Sequence, residues 1–319
     1  EIIRILKIDT EKWKLSSYWN KQHKEYWLVS AMISQKKLEP QDFLSETIKN
    51  FNPKYIPVAK VHINDKFSDP TVGVLSIQDL HFGKEDNADV KTAFEKAIQE
   101  LMLRSYYSHK LEKIVYVIGG DLLNMDTFGG LTTKGTPVDS DQRAQDAYDT
   151  AFESMFWSVN FIKQFCDTLE VVYLPGNHDR LSSYHLVHAL SKCFIKEPNV
   201  EFNATYSERK VITYGDNFFA FEHGDVTKKL TPLVYATEFP KQWGATIFRT
   251  CYTGHFHTKK VTEFVTDNEV HGFAIKHLPS LCKSDYWHYH NKFTGSKRQA
   301  IMEIHDKVKG KISEFTYTA

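Results

Sequence analysis

Five short clusters of histidine, aspartate and asparagine lie in order between Asp79 and His257, and each sits just past an apolar run. Asp79 and His81 follow Val72–Ile77, and Asp121 follows Lys113–Ile118 in Gly119-Gly120-Asp121. Asn177, His178 and Asp179 follow Val171–Leu174. His223 ends Phe218–Glu222 in His223-Gly224-Asp225, and His255 and His257 follow Phe248–Thr253 in Gly254-His255-Phe256-His257. Short apolar runs bounded by glycine read as strands. Polar side chains at the carboxyl ends of such strands converge on one sheet edge, where α/β proteins place their sites. The glycines allow sharp turns and close backbone approach there. Alternating residues, as in Asp79/His81 and His255/His257, present two side chains to one site if the backbone is extended.

Between these clusters the pattern alternates strand and helix. Val90, Phe94, Ala97, Ile98 and Leu101 recur at helical spacing, as do Ala144, Tyr148, Phe152, Met155, Phe156 and Val159 after a predicted N-cap at Ser140. A further helix is predicted from about Ser183. Beyond residue 200 the chain turns β-rich, with strands predicted at 209–214, 217–222, 248–253, 259–265, 270–278, 299–305 and 311–317, and one helix near 230–238. Strand–helix alternation followed by antiparallel strands predicts an α/β (α+β) domain over 67–319, with two sheets packed face to face and helices outside. Residues 1–66 read as a separate β-rich appendage and linker, with Trp13, Tyr18, Trp19, Tyr26 and Trp27 among lysines and prolines at 53 and 57. Aromatics among lysines suit stacking on single-stranded nucleic acid, and equally a small aromatic core. Glu1 rather than Met opens the chain, so an upstream segment is expected.

Taken singly, an Asp-x-His or a Gly-Asp is usually an ordinary turn, and a lone histidine is usually structural. Five clusters in order, each after a predicted strand, point instead to a metal site. Its donors are imidazole, carboxylate and amide without thiolate, which suits manganese, iron, nickel or zinc better than calcium or magnesium; the expected cofactors are divalent ions, manganese first, with iron, zinc, nickel or magnesium as alternatives. The 319 residues carry 40 basic and 40 acidic side chains, so no global positive field attracts a polyanion. The four cysteines are far apart and form no CxxC pair, as expected of reduced thiols in a cytoplasmic protein. No apolar run is long enough to span a bilayer and no signal peptide opens the chain, so a membrane partner is not expected.

The order DxH, GD, GNHD, H and GHxH over residues 70 to about 305 resembles the calcineurin-like metallophosphoesterase superfamily. Within it the chain resembles bacteriophage-encoded members related to the nuclease subunit of double-strand-break repair complexes, which would place it in host cytoplasm. The resemblance implies a four-layer αββα sandwich holding two divalent metal ions. Asp79, His81 and His257 would hold the first, Asn177, His223 and His255 the second, and Asp121 would bridge both. His178 would stand beside the scissile phosphate. Two cations about 3.5–4 Å apart clamp an in-line phosphoryl displacement and acidify a water, and an imidazole suits proton transfer near neutral pH. Many relatives carry an Asp three residues after the bridging Asp to orient the histidine. Here Asn124 stands there, and Asp126 is a candidate substitute.

Two segments bear on substrate. A polar loop, 125–142, leaves the Asp121 cluster directly and offers Lys134 and, just beyond, Arg143 to a phosphate. The stretch 278–298 interleaves aromatic and basic residues, including Trp287, His288, Lys297 and Arg298, as a phosphodiester chain with stacked bases would require. The leading expectation is hydrolysis of phosphodiester bonds in nucleic acid, in the manner of a DNA nuclease. A phosphodiesterase or phosphatase of nucleotides or other small phosphoesters is the alternative, and a non-catalytic nucleic-acid-binding module is the third. Many relatives are homodimers, and no sequence feature here specifies such an interface.

Overall fold

The computed structural model describes residues 2–10, 13–22, 27–35, 69–226, 231–255, 267–269, 272–283 and 298–319. The chain divides into two compact units, residues 1–52 and 53–319. The boundary expected at 66/67 lies outside the described residues, as do Pro53, Pro57 and the strand expected at 259–265.

The first unit contains a short helix, α1 (Ile2–Ile5), and an antiparallel hairpin of β1 (Trp13–Gln22) and β2 (Trp27–Gln35). A register shift between Leu15 and Ser17 marks a bulge, and Tyr18 and Trp19 are both exposed.

The second unit is built on a six-stranded sheet. Its parallel heart is β3 (Pro70–Ser76), β4 (Lys110–Gly119), β5 (Thr168–Leu174) and β6 (Val200–Asn203), and β12 (Gln299–Asp306) and β13 (Gly310–Thr318) extend the β3 edge antiparallel. These strands are apolar on both faces because both faces are covered. One face of the sheet, Val72, Val74, Val115, Val117, Val172 and Leu174, packs on Ile212, Tyr214, Phe219, Phe221 and Tyr252 of a second sheet. The alternate residues face helices. Tyr116 Oη pairs with Ser158 Oγ at 2.9 Å on α3 (Ala144–Ile162), and Tyr173 Oη reaches Ser183 Oγ at 3.2 Å on α4 (Arg180–Cys193). The helix α2 (Val90–Ser108) lies on the same side, through Ser105 Oγ and Met302 Sδ at 3.2 Å.

The second sheet has the order β10 (Asp267–Glu269), β11 (Ala274–His277), β9 (Phe248–Thr253), β8 (Asn217–Glu222) and β7 (Lys210–Tyr214), with β8, β9 and β11 parallel. Its outer face, Phe218, Ala220 and Cys251, is covered by Tyr235 of α5 (Thr231–Glu238), and Phe239 and Trp243 of α6 (Pro240–Gly244) and its N-cap pack against the same cluster. The result is the expected layering of helix, sheet, sheet and helix. The four cysteines are free. Among the described residues no helix is long and apolar enough to cross a membrane.

The helix expected from an Ser140 N-cap begins instead at Ala144, after Arg143. Ser140 Oγ is held by Gly83 O at 2.5 Å and Gln142 O at 2.9 Å, so it ties the preceding loop to the β3 side of the site.

A charged network joins the two sheets behind the site. Glu303 on β12 is 1% exposed and accepts from Tyr252 Oη of β9 at 2.5 Å and Lys311 Nζ at 3.0 Å; it also contacts Lys276 of β11. His305 Nε2 lies 3.3 Å from the same carboxylate, and Lys276 also reaches Glu314 at 2.6 Å. Burial alone would raise the Glu303 carboxyl, but His305, Lys276 and Tyr252 outweigh it and hold it well below the usual range. Removing one partner of a buried pair strands the rest, typically at about 3–5 kcal/mol. Glu303→Gln is therefore expected to lower unfolding free energy by roughly 3 kcal/mol in a denaturant titration. A carboxyl depressed in the folded state stabilises above its unfolded value and loses that contribution as pH falls. The gap between wild type and variant should thus be full near neutral pH and shrink below about pH 4.5; a pH-independent gap would contradict this reading.

Candidate metal centre

The carboxyl ends of β3, β4 and β5 open onto the same edge as those of β8 and β9, and the loops that follow interlock. The β3 and β4 loops continue pairing beyond their strands, with Asp79 N to Gly120 O at 2.8 Å, His81 N to Asp121 O at 3.1 Å and Phe82 N to Leu122 O at 2.9 Å. Asn87 Nδ2 donates to Leu80 O at 2.9 Å, and Ser280 Oγ donates to Asp79 O at 2.7 Å. The second sheet joins through the His255 backbone N–H, 2.9 Å from Asp79 Oδ2. Gly176 is where the β5 loop passes the β4 loop. A Cβ there would lie 2.1 Å from both Asp121 N and Oδ1, so no other residue fits without displacing that carboxylate.

Asp79, His81, Asp121 and His255 all have φ between 47° and 69°. This left-handed region strains a residue with a Cβ by about 1–2 kcal/mol, though Asp, Asn and His visit it more readily than most. Such strain persists where surrounding structure enforces it, characteristically at functional sites. It also corrects the extended-backbone account of the Asp79/His81 pair. Their side chains share a site because tight turns aim them there, held by the loop hydrogen bonds above.

Two groups of donors capable of holding a metal ion meet at Asp121. One is His81, Asp121 and His178, the other Asp121, His223 and His255, with ligand atoms in each within 4.8 Å of one another. Asp121 Oδ1 accepts the His178 backbone N–H at 2.8 Å, and Oδ2 lies 3.0 Å from His223 Nε2 and 4.0 Å from His178 Nε2. Asn177 Oδ1 is 2.9 Å from the same His223 nitrogen, and Asp79 Oδ1 is 4.0 Å from His81 Nε2. The imidazoles form edge-on pairs, His81 with His178 at 4.7 Å and His223 with His255 at 5.0 Å between centroids. His257 lies outside the described residues.

The electrostatics fit cations. Burial is the largest influence on Asp79 and pushes its carboxyl up to about 7 despite the nearby His223 charge. Burial, then the charge of Asp121, raises Asp179 well above the ordinary range. Burial would lower His223, but its ion pair and hydrogen bond with Asp121 raise it to about 9. The same contact, with His81 and His178 adding, outweighs burial at Asp121 and holds that carboxyl far below the usual range. Carboxyls that prefer a proton near neutral pH mark a site short of positive charge. His223 Nδ1 has no hydrogen-bond partner among the described residues. A mixed nitrogen and oxygen donor set with this electrostatic demand fits divalent cations of the manganese-to-zinc series.

His178 is oriented differently from the expectation. Its Nδ1 lies 3.0 Å from the backbone carbonyl oxygen of Asn124, whereas the Asn124 side chain donates to Asp139 O at 2.9 Å. A carbonyl oxygen only accepts, so Nδ1 carries a hydrogen and Nε2 is the ring nitrogen turned toward Asp121. The amide at position 124 thus has no direct part in orienting the imidazole. Asp126 is not a substitute either. Its carboxylate accepts the backbone N–H groups of Leu181 and Ser182 at 3.2 and 2.8 Å and the hydroxyl of Thr133 at 2.7 Å. It caps α4 from outside the helix, satisfying donors that the Asp179 side chain leaves open while bonding Leu123 N at 2.7 Å.

The 125–142 loop is pinned to this helix start. Thr133 N donates to His178 O at 3.1 Å, and Arg180 N donates to Thr133 Oγ1 at 3.0 Å. Lys134, at its tip, is exposed. Arg143 is bidentate to Asp146, with both contacts at 2.8 Å, in the first turn of α3. Arg298 donates to Leu281 O at 2.6 Å and to Asp89 at 2.8 Å, which closes the start of α2. Both arginines thus pair with carboxylates at helix starts, Arg143 with a side chain that is still 58% exposed. Trp287, His288 and Lys297 lie outside the described residues. Arg180, and Asp225 of the His223-Gly224-Asp225 cluster, were given no role from the sequence, yet they flank the motif residues His178 and His223 and lie 3.7 Å apart. Their adjacency to two motifs is the signal that could have found them.

No protein-family model matches the chain, and no curated protein does. Among solved structures the chain is similar to Vps29 from Chaetomium thermophilum, over 77% of this chain and 98% of that one, at 13% identity and a TM-score of 0.32.

Two outcomes follow from the geometry. Asp121→Ala is expected to abolish binding of both equivalents of manganese in equilibrium dialysis; retention of two equivalents would show that the donor groups do not share this carboxylate. Asn124→Ala should keep the Nδ1–H form of His178 in nitrogen-15 NMR and destabilise the fold by about 1 kcal/mol through the lost bond to Asp139. A switch of His178 to the other tautomer would return the orienting role to the amide.

Proposed function

We propose that this chain is a two-metal phosphoesterase that hydrolyses phosphodiester bonds in nucleotides or nucleic acid. The observation that carries the reading is a single buried carboxylate, Asp121, shared by two donor groups, with the Nε2 of His178 facing it. Asp79, His81 and His257 would hold one cation and Asn177, His223 and His255 the other, with Asp121 between them; manganese is the first candidate for both. Bound cations would supply positive charge to phosphate oxygens and an acidified water as nucleophile. The contribution of the chain's own residues is positional. The loops after β3, β4 and β5 hold the donors in place before anything binds, and the Asn124 carbonyl orients His178 so that Nε2, when protonated, can deliver its proton to the leaving oxygen. The left-handed backbone at four donor positions favours a working centre over a relict one, since strain without function is readily lost.

Nucleic acid as substrate is supported by the resemblance of the motif series to nuclease-related metallophosphoesterases. A nucleotide-sized substrate is supported by zero net charge and by a cavity of about 340 Å³ that includes His223 in its wall. A manganese-loaded sample should hydrolyse a chromogenic phosphodiester and lose that activity in His178→Ala by at least about a hundredfold, the range of general acid–base catalysis. Metal content should not change in that variant; loss of one metal would make His178 a ligand. Wild-type protein that leaves single- and double-stranded DNA intact while cleaving nucleotide diesters would remove the nuclease reading and keep the phosphodiesterase one. Failure on every phosphoester tested would remove both.

A further inference from the structure

The cavity beside His223 has a chemistry of its own. Its volume is about 340 Å³, and its wall brings together residues from the start of α4, the β6–β7 connection, the end of β8 and α5. Two guanidinium groups line it, and both are already committed. Arg209 is bidentate to Glu238 at 2.8 and 2.6 Å. Arg180 pairs with Glu208 and lies 3.7 Å from Asp225. Three carboxylates, Glu208, Glu222 and Asp225, share the wall with these two arginines, and Val226 and Val234 supply its apolar part.

A phosphate is a poor occupant of such a space. No guanidinium is left uncompensated to receive it, His223 is already paired with Asp121, and three carboxylates stand in the wall. A neutral group bearing hydroxyl and amide N–H donors fits, because carboxylates accept without requiring a counter-charge, and a flat ring can lie on the valines. The volume stands near the low end for ligand pockets and suits one ring-and-sugar unit rather than two. We infer that this cavity seats the single nucleoside adjoining the scissile phosphate, so that the metal centre holds the phosphate while Asp225, Glu222 and Val234 select the group attached to it. Arg180 is a positioning residue. Its backbone is fixed by Thr133 next to His178, and its side chain holds Glu208 and Asp225 at the cavity wall.

The inference rests on the phosphoesterase reading, so its test has one arm that needs no turnover. Manganese-loaded protein is titrated calorimetrically with thymidine 5′-monophosphate, methyl phosphate and phosphocholine. The nucleotide should bind at least tenfold tighter than methyl phosphate, and Val234→Trp, which fills the cavity, should erase that difference. Val226→Trp, at a position 68% exposed, gives the same test if the first variant does not fold. In a second arm, kcat/KM for the p-nitrophenyl ester of thymidine 5′-monophosphate should exceed that for methyl p-nitrophenyl phosphate by at least tenfold, and either variant should collapse the ratio. If neither ester turns over while the binding preference and its loss hold, the hydrolytic reading fails and the cavity assignment stands. Equal binding of nucleotide and methyl phosphate, a preference untouched by both variants, or tighter binding of the cationic phosphocholine would overturn the inference.

Discussion

The contact between Asp121 and His223 is where the two halves of the domain become one site. Asp121 leaves the six-stranded sheet and His223 ends a strand of the five-stranded one, and their side chains meet at 3.0 Å in a space from which water is nearly excluded. Burial works against each group separately, raising the one and lowering the other, and each holds the other in its charged form. The rest of the edge is arranged around that contact. Gly176 leaves room for the carboxylate, the His178 backbone fixes one of its oxygens, and Asn177 shares the nitrogen of His223. A hydrophobic interface between sheets is tolerant of sliding, but a ligand edge made from both sheets is not. The buried Glu303 network, with partners on both sheets, supplies the register that this edge requires.

Much of this was legible in the chain because parallel strands buried on both faces are apolar throughout and end abruptly at the ligand clusters. The expected strands at 217–222 and 248–253 occur with those bounds, and the two-sheet layering with helices outside is present. What was not legible depended on backbone geometry. Asp79 and His81 reach one site through left-handed turns that no spacing rule reports. Asn124 stands where many relatives carry the orienting Asp, yet the partner of His178 is a main-chain carbonyl that any residue at 124 would supply. Asp126, Arg143 and Arg298 read as site candidates by charge, and all three are used to secure the starts of helices. A charged side chain near a motif is as readily a clamp on the scaffold as a contact to substrate, and only its partners separate the two.

The arrangement divides labour between the metal edge and its surroundings. The donor groups around Asp121, where carboxyls are raised by burial, call for cations, and on the proposed reading those cations would take the negative charge of a phosphate. The neighbouring cavity, with its arginines neutralised in place, suits an uncharged group. Placing these two environments side by side, joined by His223, is what would let one site take hold of a phosphoester by both its ends.

On the proposed reading one carboxylate, Asp121, joins two metal positions. Anomalous scattering from a crystal of manganese-loaded protein tests it most directly. Two peaks are expected on either side of the Asp121 carboxylate, one adjoining His81 and the other adjoining His223. A single peak, or two peaks of which one has no contact with Asp121, would contradict it.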